Sequence, residues 1–157
     1  MSTQAPAKDT NRYFEEIEDG EQYTVEQART ITEADIVNFA GVSGDFHPYH
    51  MSKTRMEDSQ FGGRIAHGAL IFAIAEATIA DMNPKSFTYG HDGIRFPTPT
   101  MIGDTLTVSR EIVERDIYND DYGKVVYAYE ATNQDGETLY VGEHTTLVER
   151  RSENPDQ

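Results

Sequence analysis

The spacing of apolar positions changes twice along the chain, and each change predicts a different kind of element. Tyr13, Phe14 and Ile17 are expected to pack a short entry segment onto the body. Residues 22–30 alternate weakly, with Tyr23, Val25 and Ala28 apolar, and predict a strand. Thr32 and Asp35 have the spacing of an N-cap with an acidic third residue. Ile36, Val37, Phe39 and Ala40 then supply a helical face, ended by 41–44. Residues 43–50 read as a loop, 52–58 as one or two helical turns, and 61–63 as a turn. From Gly68 nearly every position is apolar up to Ala80, which predicts a helix buried on most faces and stopped by Asn83-Pro84. Beyond it the period becomes two, with strands expected over 87–96, 104–115, 124–132 and 138–150. Consecutive strands with tight turns suggest an antiparallel meander wrapped around one apolar helix, an α+β architecture.

Residues 1–11 and 151–157 are polar and without periodicity, so they read as disordered tails flanking one domain over 12–150. A chain of 157 residues with 37% hydrophobic positions can bury a core. No apolar run approaches the roughly 20 residues of a membrane span. Met1 to Asp9 lacks the apolar segment of a secretory signal, and a cytoplasmic protein is expected. No cysteine is present, which excludes disulfides, thiolate metal sites and cysteine nucleophiles. The formal net charge of −15 argues against nucleic acid and anionic membrane as partners, because both need a basic surface.

Reactive groups concentrate in one stretch, Ser43-Gly44-Asp45-Phe46-His47-Pro48-Tyr49-His50. A carboxylate and an imidazole within reach of one water can take a proton from it and give one to a substrate carbon. Asp45 capping a local turn beside two surface histidines is the plainer alternative. A second element is Arg64-Ile65-Ala66-His67-Gly68, at the start of the apolar helix. A helix N-terminus presents free N–H groups, and Gly68 lets an acceptor approach the backbone closely. Such a place can stabilise an oxyanion without a side chain. Close helix packing is the alternative role for Gly68. Asp45, His47 and His50 could be written as a metal-binding set, but their spacing fits no specific ligand motif. Glu76, alone and acidic within the apolar helix, reads as a polar contact in or beside the core that needs a partner.

Four segments taken together resemble the MaoC-like acyl dehydratases, the (R)-specific enoyl-CoA hydratases of the hot dog fold. They are Thr32-Glu33-Ala34-Asp35-Ile36, the 43–50 block, Phe61 through Gly68, and Arg95-Phe96-Pro97 with Gly103-Asp104-Thr105-Leu106. The resemblance runs from about Tyr13 to Arg150. It implies an antiparallel sheet around a long central helix, and a homodimer or dimer of dimers. It implies that Asp45 and His50 are the catalytic pair and that the Gly68 N–H holds the thioester oxygen. His47 stands where many members have Asn. His47, His67, Arg64 and Arg55 are candidate substrate contacts, the two arginines for the phosphates of coenzyme A. The implied reaction is reversible hydration of a trans-2-enoyl-CoA, with no metal or redox cofactor and coenzyme A as part of the substrate. A hot dog thioesterase and a non-catalytic acyl-CoA-binding subunit are the alternatives.

The nine Arg against four Lys, with 28 acidic residues, match a protein adapted to concentrated salt. Salt near 1 M shortens the screening length to about 3 Å, so like charges stop repelling. The thermal unfolding midpoint is therefore expected to rise from low-salt buffer to about 1 M salt. Full stability in low salt removes that reading.

Overall fold

The computed structural model describes residues 10–151. The elements run in the order β1 (Gln22–Thr30), α1 (Glu33–Ser43), α2 (Pro48–Met51), α3 (Lys53–Glu57), α4 (Gly68–Ile79), β2 (Ser86–Arg95), β3 (Thr105–Ile117), β4 (Tyr122–Thr132) and β5 (Thr138–Glu149), after a 3-10 turn at Phe14–Glu16. The five strands form one sheet in the order β1-β3-β4-β5-β2, and all paired neighbours are antiparallel. The sheet closes over α4, which packs against β1, β3, β4 and β5. This is the α+β hot dog architecture.

The apolar pattern explains the closure. Leu70, Ile71, Ile74, Ala75 and Ile79 of α4 share one core with Leu106, Val108, Val125, Tyr140 and Val148 of the sheet. Burying a side chain of the Ile or Leu kind contributes about 1.5–3 kcal/mol, so this face outweighs any local preference of the strands. The opposite face of α4 is less covered than its composition predicted. Ala69, Ala73 and Ala77 recur every fourth residue and are exposed, forming a narrow stripe of small side chains.

Three expectations are corrected. The meander holds only for β3, β4 and β5; β2 skips β3 and pairs with β5, placing it at the sheet edge. Strand β2 follows α4, and the helix carries the chain across the sheet before β2 is laid down. Helix α4 ends at Ile79, with Ala80 as C-cap, before reaching Asn83-Pro84. Asn83 is instead a buried anchor whose Nδ2 donates to the Arg12 carbonyl at 2.7 Å. Finally, the loop after α1 ends at Pro48, so His50 rides on the short helix α2. Proline fits the first turn of a helix, where no N–H is needed.

The expected tails fall outside the described residues at 1–9 and 152–157. Thr10 is described, and its hydroxyl donates to Asp81 Oδ1 at 2.7 Å. The stop of α1 is a left-handed Gly44 at φ 77°, which no β-carbon opposes and which turns the chain into the Asp45 loop.

The start of α1 is a full capping box. Thr32 Oγ1 accepts from the Asp35 N–H at 3.2 Å, and the Asp35 carboxylate accepts from the Thr32 N–H at 2.8 Å. Burial opposes ionisation of Asp35, but the Thr32 bonds and the charge of Arg29 outweigh it, and the carboxyl lies below its ordinary value. That stabilisation is full above the ordinary aspartate range and is lost as pH falls through the lowered folded value. Thr32→Ala is expected to cost about 1 kcal/mol in urea unfolding at neutral pH. An unchanged midpoint would show that α1 is held by packing alone.

Candidate functional site

Two stretches separated in sequence meet at the N-terminus of α4. Ile65 donates its N–H to the Tyr49 carbonyl at 3.0 Å, and Ala66 donates to the Thr100 carbonyl at 2.8 Å. These bonds lock the 64–67 segment between α2 and the turn before β3. Asp104 holds that turn: its Oδ2 accepts from the Met101 N–H at 2.8 Å and its Oδ1 from Gln134 Nε2 at 3.0 Å.

His50 is buried, and its Nδ1 lies 2.7 Å from the Ile65 carbonyl oxygen. A carbonyl only accepts, so Nδ1 carries the proton and Nε2 keeps a lone pair. Nε2 faces Asp45 Oδ2 at 3.7 Å. That separation is too long for a direct hydrogen bond and suits one oxygen shared by both groups. The Asp45 side chain is 51% exposed, so the shared position is open to solvent. Its Oδ1 accepts from the His47 N–H at 3.2 Å, and its own N–H donates to Ser43 Oγ at 3.1 Å. The local-turn role weighed for Asp45 is therefore real, but it occupies only one carboxylate oxygen.

His67 was expected as a substrate contact. In the structure it is a buried brace. Its Nε2–H donates to the Asp45 carbonyl at 2.9 Å, and its ring stacks on His50 with centroids 3.7 Å apart. Phe39 of α1 meets the same ring edge-on at 4.9 Å. One imidazole thus holds the backbone of the carboxylate and the plane of the other imidazole. The sequence offered no signal for this role beyond the position of His67 before Gly68.

His47 is exposed and caps α2, its Nδ1 accepting from the Tyr49 N–H at 3.2 Å. Arg64 Nη1 donates to Glu33 Oε1 at 2.7 Å, so its charge is already paired. Arg55 is exposed on α3 and has no ion pair among the described residues. The metal set written from the sequence also changes membership. Asp45, His50 and His67 each place one donor atom within 4.8 Å of the others, while His47 is excluded.

Gly68 opens α4, where the first N–H groups have no intrahelical carbonyl. A β-carbon there would lie 2.7 Å from the Phe96 ring. Both roles weighed for this glycine, open backbone and close packing, are therefore compatible in one position.

Residues 15–134 match the family described as MaoC like domain. Fold and site define a hot dog protein, and the chain belongs to the MaoC-like domain family. The chain is 41% identical over 99 residues to Protein MaoC of Klebsiella aerogenes, covering 62% of this chain and 29% of that protein. It therefore spans less than a third of that relative. It is 36% identical over 98 residues to an (R)-specific enoyl-CoA hydratase of Rhodospirillum rubrum, covering 62% of this chain and 67% of the relative. The structure of a monoamine oxidase regulatory protein from Archaeoglobus fulgidus superposes with TM-score 0.85 at 32% identity, over 93% of this chain and 99% of that one. R-hydratase PhaJ1 from Pseudomonas aeruginosa superposes with TM-score 0.75 at 30% identity, over 94% and 96% of the two chains.

Gly68→Ala is expected to cost about 1–3 kcal/mol of stability through the clash with Phe96. In a Phe96→Ala background the same change should cost far less, since Ala is the better helix former. Equal costs in both backgrounds, read by urea unfolding, would show that Phe96 is not the constraint.

Proposed function

We propose that the protein hydrates trans-2-enoyl-CoA thioesters to (R)-3-hydroxyacyl-CoA, and catalyses the reverse dehydration. The observation that carries this reading is the 3.7 Å gap between Asp45 Oδ2 and His50 Nε2, with the His50 tautomer fixed by Ile65. The (R) configuration rests on likeness to relatives named for that activity.

A water in the gap gives one proton to His50 Nε2 as its oxygen attacks the β-carbon. Electron density moves through the α-carbon onto the thioester oxygen. The Gly68 N–H, at the positive end of the α4 dipole, stabilises that oxygen. Asp45 holds the same water and delivers a proton to the α-carbon, the proton taken up by His50 being passed to Asp45 for this, so both groups end the turnover as they began. The net change is one H–OH added across the double bond, and nothing is oxidised. His67 acts through the other two groups and touches no reacting atom.

Coenzyme A is anionic and so is the protein, so local cations must meet its phosphates. Arg55 is the better placed of the two candidates, because Arg64 is occupied by Glu33. A homodimer completes the reading. Strand β2 offers a free sheet edge with exposed Phe87 and Tyr89, and α4 offers its exposed alanine stripe.

Asp45→Asn and His50→Ala are each expected to lower crotonyl-CoA hydration by at least about 100-fold, the lower range of general acid–base contributions. The loss of enone absorbance reads this directly, and circular dichroism checks that the variants fold. Normal hydration by either variant would sink the assignment. Release of free thiol from saturated acyl-CoA would point to a thioesterase instead.

A further inference from the structure

A second cluster of titratable groups lies on the other half of α4, outside the site described above. Glu76 of α4, His91 of β2 and His144 of β5 converge there, and about 12 Å of helix separates Glu76 from Gly68. His91 and His144 are directly opposite in the β2–β5 register, and their rings stack with centroids 4.3 Å apart and planes 14° from parallel. Glu76 Oε2 stands 3.0 Å from His144 Nδ1 and 3.7 Å from His91 Nε2. Its other oxygen accepts from the Tyr140 hydroxyl at 2.9 Å.

The two imidazoles are not equivalent. A proton on His144 Nδ1 sits against the Glu76 carboxylate, and His144 Nε2 lies 3.0 Å from Thr88 Oγ1. The Thr88 hydroxyl donates to a neutral ring and accepts from a cationic one, so His144 changes charge without losing a contact. His91 Nε2 is buried and has no hydrogen-bond partner. A charge on it is stacked on the neighbouring imidazole, with only the longer contact to a carboxylate that His144 already meets. The surrounding groups bring little relief. Phe72 of α4 meets His91 edge-on at 4.8 Å, and Tyr127 and Tyr129 of β4 stand 6.3 and 6.0 Å from His144. Arg110 of β3 lies over the Tyr127 ring at 4.6 Å and adds positive charge on that side. The next pair along the two strands, Asp92 and Glu143, is exposed. Burial first, and then His144, hold His91 below the ordinary histidine value although Glu76 and Asp92 act the other way.

The strand that carries His91 is poorly secured. It lies at the sheet edge, and its register shifts on both sides of the 90–92 run, between Thr88 and Gly90 and again between Asp92 and Arg95. An edge run bounded by two irregularities opens locally at a lower free energy than a central strand. We propose that the stacked pair is an acid-sensitive latch on β2: with at most one proton it holds the 90–92 run against α4, and a second proton drives the rings apart and releases the run from β5. The hold is complete above the ordinary histidine value and is lost as pH falls through the lowered folded one.

Hydrogen exchange read by mass spectrometry tests this at about pH 7.5 and about pH 5.5, a range in which ordinary imidazoles titrate and ordinary carboxylates stay ionised. Protection of β2, corrected for the intrinsic exchange rate and divided by that of the central strand β4, is expected to fall at least about 10-fold at the lower pH in the wild-type chain. His91→Phe keeps a flat ring in the stack and takes no proton, so its ratio should stay level. A level ratio in the wild type, or an equal fall in His91→Phe, overturns the proposal. If His91→Phe fails to fold by circular dichroism, the ring-proton resonances of wild-type His91 decide. Titration of His91 in the pH range where β2 loses protection is expected, and loss of protection without it overturns the proposal.

Discussion

An apolar helix in water must be covered, and the geometry of this protein follows from how α4 is covered. The sheet curls over Leu70, Ile71, Ile74, Ala75 and Ile79, which share one core with its inner face. Closure along the length of the helix leaves its N-terminal end unclosed, because the first N–H groups of a helix have no partner within it. The chain fills that end with the 43–50 loop and α2. Polar and titratable side chains collect there, where helix donors are free and a positive dipole end is present. The site is thus a consequence of the core.

What keeps the site in register is one imidazole. His67 is fixed as the N-cap residue of α4, and its ring carries two messages outward. Through Nε2 it sets the Asp45 backbone, and through its face it sets the plane of His50. His50 is fixed a second time by the Ile65 carbonyl, two residues before His67. The gap between Asp45 and His50 is therefore defined by the 65–67 segment, which belongs to neither residue's own loop. The bracing holds that gap more tightly than an exposed loop alone would.

The legible parts of the sequence were those governed by local rules. Thr32-x-x-Asp35, the unbroken apolar run from Gly68 and the period-two segments each predict their element from neighbouring residues alone. Asp45, His50 and Gly68 stood out as candidates because reactive residues are crowded into short segments and because they resemble a known pattern. What stayed hidden was non-local. Nothing near β2 says that it pairs with β5 and not β3, since an edge position is decided by the path of the preceding helix. His67 looked like a substrate contact because its stacking partner lies 17 positions away (67 − 50). His91 and His144 sit alone in their own strands, and only the pairing of β2 with β5 sets them opposite one another. Glu76 did announce itself, as the sole charge in an apolar helix, and a partner for it was expected.

The two ends of α4 carry a similar set of groups, two imidazoles and a carboxylate, in different settings. At the N-terminal end the carboxylate side chain is 51% exposed and one imidazole is given to bracing, so the remaining lone pair faces a solvent-accessible gap. That arrangement leaves a carboxylate oxygen and an imidazole lone pair facing water. At the Glu76 end the carboxylate side chain is 14% exposed, one oxygen is tied to Tyr140, and all three inward atoms are unpartnered. That arrangement turns the three groups onto one another and away from water. The kinds of group are the same in both places. The difference lies in which atoms are already occupied and how much water reaches the rest, so the same kinds of group face solvent at one end of the helix and one another at the other.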